Sequence, residues 1–160
     1  MRHFGHQASG RERGVTILEI MVAVAILGIM AATVAPLARK TVQRQKELEL
    51  HQALRDVRAA IDEYKRLADQ KLITDEDVTA MGLPPDLETL VEGVQLANGE
   101  LTKKKFLRRI PKDPMTNSTE WGLRSYQDDW DSRSWGRENV FDIYSLSEGT
   151  ALDGSSYSDW

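Results

Sequence analysis

The chain has 160 residues and a mass of 18.1 kDa, enough for one domain with one appendage. It carries 21 basic and 25 acidic side chains, net −4, without a basic stripe, which argues against nucleic-acid binding because phosphate recognition needs clustered cations. The absence of cysteine excludes disulfides, thiolate metal sites and a cysteine nucleophile, and His3, His6 and His51 do not stand at metal-ligand spacing.

A mean hydropathy of −0.45 hides a sharp asymmetry along the chain. Residues 1–14 are short, polar and basic, with Arg2, Arg11 and Arg13 against Glu12. An apolar run of 24 residues follows, Val15–Ala38, broken by the single charge of Glu19. About 20 helical residues cross a bilayer core, so the run is long enough to span. A cleaved secretory signal fits poorly, because the run exceeds the usual apolar core of such signals and Pro36 follows the best small-residue site, Ala35. A plain membrane anchor explains the length but not Glu19. A carboxylate at the centre of a membrane helix costs roughly 2.5–3.5 kcal/mol, and such a residue is a functional candidate by default.

The string Gly14-Val15-Thr16-Ile17-Leu18-Glu19, behind a basic leader and opening an apolar helix, resembles the signal of the type IV pilin-like family. That resemblance implies a leader of residues 1–14 cut by prepilin peptidase between Gly14 and Val15. It also implies N-methylation of Val15, and Glu19 as the fifth mature residue, pairing with an N-terminal amine to set axial register. Val15 stands where the family most often has Phe. Pro36 matches a frequent helix-kinking proline of the family. Arg11 and Arg13 hold the N-terminus in the cytoplasm by the positive-inside preference, opposed weakly by Arg39 and Lys40 beyond the span.

From Arg39 to Lys71 there is no strong helix breaker. Leu50, Ala53, Leu54, Val57, Ala60, Ile61, Tyr64, Leu67 and Ala68 recur at three- and four-residue spacing, one apolar stripe on a helix. The helix is therefore expected from Val15 to about residue 70, its first half (15–38) transmembrane and its second half laid on a domain formed by 39–160. A heptad coiled coil over 40–70 is the weaker alternative, since the stripe is short and alanine-rich. Charges fill the other face, with Asp62 placed to meet Arg58 and Arg66; His51 reads as solvated.

Leu72–Leu83 reads as a loop. Pro84-Pro85-Asp86 reads as the entry to a short helix, Asp86–Glu92, and Asn98-Gly99 as a turn. Lys103–Lys105 with Arg108 and Arg109 form a basic cluster around Phe106, either a solvated edge or a contact for an acidic neighbour. Residues 39–112 carry net +2 and residues 113–160 net −7, so copies can attract head to side. Strands are expected near Thr119–Leu123 and Val140–Ser145. Trp130 and Trp135 are expected as anchors in an otherwise polar stretch.

Ile110-Pro111-Lys112-Asp113-Pro114 and Phe141-Asp142-Ile143-Tyr144-Ser145-Leu146 resemble segments of the major pseudopilins of type II secretion, within the pilin-like family. The resemblance implies an α+β fold, with one long N-terminal helix packed on a small C-terminal antiparallel sheet. It also implies a C-terminal loop stapled by calcium. Calcium takes six to eight oxygens. The tail offers the Leu146 carbonyl, Glu148, Asp153 and Asp159, although Ser147–Gly154 departs from the family's Ala-Asp-Gly run. The alternative is a solvated acidic turn capped by Tyr157 and Trp160.

No catalytic motif or nucleophile–base set is present, and the chain is expected not to be an enzyme. The resemblance implies a structural subunit that assembles with copies of itself into a helical fibre for export of folded proteins. Its implied partners are prepilin peptidase, minor pseudopilins and an inner-membrane assembly platform. Its implied location is the inner membrane, single-pass, with the C-terminal domain in the periplasm. A subunit of a type IV pilus for adhesion or motility is the alternative. A non-assembling anchored periplasmic domain is a third reading.

Overall fold

A computed structural model describes residues 14–74, 78–97 and 103–160, with the side chains of 33–37 left outside the description. Residues 1–13 of the expected leader 1–14 and the expected Asn98-Gly99 turn lie outside the described residues. The chain divides into two units between Lys40 and Thr41.

The first unit is the N-terminal part of helix α1, Ile17–Asp69. Its described face is apolar all round: Ile17, Leu18, Ile20, Met21, Val22, Val24, Ile26, Leu27, Ile29 and Met30 are all at least half exposed. A helix without a polar face requires an apolar partner or lipid. Among the described residues no helix is long and apolar enough to cross a membrane. The helix assignment runs unbroken through Pro36, and the expected kink there falls on the excluded side chains.

The second unit is built on the rest of α1. The expected stripe is the core: Leu50, Ala53, Leu54, Val57, Ala60, Ile61, Tyr64 and Leu67 are all buried. Onto it pack Leu83, Leu87, Leu90, Val94, Trp121, Val140, Ile143, Ala151 and Tyr157. Burial of a Leu, Ile or Val side chain contributes about 1.5–3 kcal/mol, so the stripe is the main adhesive of the unit. Helix α2, Leu87–Glu92, is capped by Asp86, whose carboxylate accepts from the Thr89 N–H at 2.8 Å and the Thr89 hydroxyl at 2.6 Å. It ends at Gly93, with φ 81°, where a Cβ would stand 2.6 Å from the Lys104 carbonyl oxygen. That close approach lets Val94 and Lys104 exchange backbone hydrogen bonds of 3.0 and 2.9 Å.

The sheet has two antiparallel strands, β1 (Gly122–Arg124) and β2 (Asp142–Tyr144), in register Gly122↔Tyr144, Leu123↔Ile143 and Arg124↔Asp142. Both are shorter than expected, and β1 starts three residues later. Residues 119–121 are taken by turn contacts: the Glu120 N–H donates to the Ser118 hydroxyl, and Trp121 Nε1 donates to the Pro111 carbonyl at 3.0 Å. At the other strand Val140 gives its N–H to the Pro84 carbonyl, outside the ladder. Gly122 faces the Tyr144 ring so closely that a Cβ would overlap it. The chain ends in a 3₁₀ turn, Tyr157–Asp159.

Three surface expectations are corrected. Asp62 is not the partner of Arg58 or Arg66; Arg58 pairs with Asp142 at 2.7 Å and Arg66 with Glu63 at 2.8 Å. The long-range pair wins for Arg58 because β2 crosses α1 at that level. His51 is exposed, yet its ring stacks on Trp160 at 4.1 Å. Trp135 is half-buried and donates to the Asn139 carbonyl at 2.9 Å, whereas Trp130 is 83% exposed and is not an anchor among the described residues.

Candidate functional site

Helix α1 begins at Ile17, so Gly14, Val15 and Thr16 form a short non-helical lead. The Gly14–Val15 bond is exposed on both sides. Nothing lies within 4 Å of a Cβ built at Gly14, and its φ is not left-handed. The fold therefore does not dictate glycine at this position. Proteases need accessible backbone, and this bond is non-helical and exposed.

Thr16 caps the helix: its hydroxyl accepts from the Glu19 N–H at 3.2 Å. Thr-x-x-Glu is the spacing of a capping box, a signal legible in the sequence but not used in the expectations above. Glu19 in the first turn also complements the helix dipole. Glu19 is itself exposed, and no salt bridge among the described residues engages it. It is thus an exposed carboxylate amid exposed apolar side chains.

At the other end of the chain, the two motif segments meet in the core. Asp113 is fully buried; its Oδ1 accepts from the Met115 N–H at 2.7 Å and its Oδ2 from the Ser145 hydroxyl at 2.6 Å. Ser145 in turn accepts from the Ser147 N–H at 3.1 Å. The aspartate of Pro-x-Asp-Pro therefore holds the serine at the end of β2, and that serine starts the C-terminal loop. Asp142 of the same strand takes Arg58 from α1, whose guanidinium also reaches the Ile143 carbonyl at 3.2 Å and the Trp160 carbonyl at 2.9 Å.

The C-terminal loop is fastened by side chains of α1. Gln43 Nε2 donates to the Thr150 carbonyl at 3.0 Å and to the Tyr157 hydroxyl oxygen at 2.8 Å. Glu47 Oε1 accepts from the Leu152 N–H and the Tyr157 hydroxyl, both at 2.9 Å. Burial pushes the Tyr157 phenol above its usual range, reinforced by the Glu47 carboxylate and opposed by the Gln43 bond.

The residues named for calcium are occupied separately. Asp153 Oδ1 accepts from the Ser155 N–H and hydroxyl, which holds its carboxyl below the usual range. Asp159 pairs with Arg133 at 2.8 Å, and the same guanidinium reaches the Ser158 carbonyl at 3.0 Å. Glu148 and Leu146 are exposed. Among the described residues no group of three or more His, Cys, Asp or Glu could hold a metal ion. A cation beside Asp159 would face the Arg133 guanidinium, and Glu148, Asp153 and Asp159 do not form one such group.

Asp128 does not have the setting of an acid–base group either. It accepts from the Ser125 N–H at 2.7 Å and the Gly136 N–H at 3.1 Å, which keep its carboxyl below the usual range. It clamps a turn.

The Prokaryotic N-terminal methylation motif matches residues 9–35, the segment that contains Gly14, Val15 and Glu19. Type II secretion system core protein G of Klebsiella pneumoniae is 26% identical over 151 residues, covering 94% of this chain and 95% of that protein. The protein of the same name from Vibrio cholerae is 28% identical over 157 residues, covering 94% and 92%. That from Pectobacterium carotovorum is 28% identical over 143 residues, covering 88% and 78%. No solved structure matches the chain.

Proposed function

We infer that the chain, a pilin-like protein of the type II secretion core protein G kind, is a structural subunit of a type II secretion pseudopilus. The observation that carries this is the first half of α1. Its described apolar side chains are at least half exposed, and the run is interrupted by the single charge of Glu19. Such a surface is stable only in lipid or against copies of itself, and a fibre core supplies the second environment after the membrane supplies the first.

Prepilin peptidase cuts between Gly14 and Val15, and the new amine of Val15 is methylated. That amine meets the Glu19 carboxylate of its own or a neighbouring subunit. A charge buried without its partner costs about 3–5 kcal/mol relative to the pair, so Glu19 sets the axial register of packed helices. The leader blocks assembly because it ties the amine into a peptide bond. The protein sits in the inner membrane with residues 39–160 in the periplasm, and Pro36 loosens the helix where it leaves the bilayer. Minor pseudopilins and an inner-membrane platform complete the machine. The role is mechanical, not enzymatic: the fibre helps move folded proteins toward an outer-membrane channel.

Two variants test the charge role of Glu19. Glu19→Ala removes the whole carboxylate and keeps the backbone N–H that the Thr16 hydroxyl accepts from. Glu19→Gln keeps the capping geometry and removes only the charge. Both variants are expected in the membrane fraction, and neither in sheared fibres. Normal fibres from Glu19→Gln would show that the charge of Glu19 does not set the register.

A further inference from the structure

The second unit carries two surfaces of opposite character. The first is a groove of about 530 Å³ between α1 and the segment 107–112. Leu107, Ile110 and Pro111 give it an apolar lining, and three exposed cations, Arg108, Arg109 and Lys112, outnumber its one carboxylate, Asp56. No salt bridge among the described residues engages these three cations.

The second is the loop tip Asp129-Trp130-Asp131. All three residues are exposed, Trp130 to 83%. The base of the loop is fixed: Asp128 takes the Ser125 and Gly136 N–H groups, and the Ser132 N–H donates to the Asp129 carbonyl at 2.9 Å. An indole is thus held out in water by an ordered turn, between two carboxylates.

We propose that this tip docks into the 107–112 groove of the next copy of the chain. The inference rests on the pseudopilus reading and names a contact within that fibre. Charge and shape both match. The indole meets an apolar lining, the Arg108 and Arg109 guanidiniums can lie over its face, and Asp129 and Asp131 meet Arg108, Arg109 and Lys112. Tryptophan and arginine are the residues that most often dominate such contacts. The two surfaces differ from each other, so the contact is head-to-tail. A head-to-tail contact whose rotation does not close a ring generates an open helical filament, the symmetry a pseudopilus needs.

The chain has no cysteine, so paired cysteines report on it cleanly. The experiment uses the full chain in its own membrane. Ser132→Cys, next to the tip, and Thr119→Cys, in the groove lining, are introduced together and singly, and treated with a short bismaleimide. The pair is expected to give a ladder of covalent multimers in sheared fibres, and neither single variant a ladder. Trp130→Ala is expected to cut fibre yield at least tenfold with its melting temperature unchanged. Asp129→Lys and Arg109→Glu are expected to lower yield singly and to restore it in combination. Fibres at normal yield from Trp130→Ala, with no ladder from the pair, would overturn the contact and leave the pseudopilus standing. Absence of fibres from the unaltered chain would overturn the pseudopilus reading and the contact with it.

Discussion

Asp113 is the most informative position in the second unit, because it joins the two motif segments through a fully buried carboxylate. Asp113→Ala removes two acceptors at once. It leaves the Met115 N–H without its 2.7 Å partner and the Ser145 hydroxyl without its 2.6 Å partner. A buried polar group left unsatisfied costs about 1–3 kcal/mol, so the two together should cost about 2–5 kcal/mol. Ser145→Ala strands only one carboxylate oxygen and the Ser147 N–H at the rim, and should cost less. Because the two side chains share one bond, the double variant should lose less than the sum, with a coupling of about 0.5–3 kcal/mol. The assay is urea unfolding of the detergent-solubilised full chain, followed by tryptophan fluorescence. With a slope near ~1.5 kcal/mol per molar urea, a loss of ~3 kcal/mol moves the midpoint down by about 2 M. A shift of Asp113→Ala below about 0.3 M, or strict additivity with Ser145→Ala, would refute the reasoning.

Gly122→Ala forces the Tyr144 ring out of the slot it shares with Arg124, whose guanidinium lies 4.3 Å over the ring. The expected cost is about 1–3 kcal/mol in a melting experiment, and a neutral result would show that the ring moves freely. Tyr157 has its pKa raised by burial, so its contribution is full below the ordinary tyrosine pKa and is lost as pH rises through the folded one. Stability should therefore fall on the alkaline side above about pH 10, and Tyr157→Phe should lose that part of the pH dependence. Arg133→Ala should loosen the Tyr157–Asp159 turn and speed proteolytic clipping there, equally in calcium and in a chelator. A saturable rise in the melting temperature of the unaltered chain with calcium would show that the loop takes a metal after all.

The legible parts of the sequence were those with one strong local rule. The stripe from Leu50 to Leu67 could be read because helical spacing leaves one answer for which face is buried. Pro84-Pro85-Asp86 located α2 to within a residue because capping chemistry is local. Strand bounds were less legible, because side-chain bonds such as Trp121 to Pro111 end a strand as effectively as a turn residue. The partners of Arg58 and His51 could not be read at all, since Asp142 and Trp160 lie more than eighty residues away along the chain. Trp130 was misread for a related reason: a tryptophan in a polar stretch predicts an anchor, and only the fold shows that it faces out. At the N-terminal site the order was reversed. Gly14, Val15 and Glu19 were legible as a pattern, and the structure adds that Gly14 has no conformational duty and that Thr16 caps the helix.

The measurement that bears most directly on the central claim is the intact mass and N-terminal sequence of the protein extracted from membranes that contain active prepilin peptidase. A chain that starts at Val15 and carries one added methyl group on its amine is the result expected of a processed fibre subunit. A chain that still starts at Met1 in those membranes would contradict it, and would reduce α1 to an anchor for a domain that does not assemble.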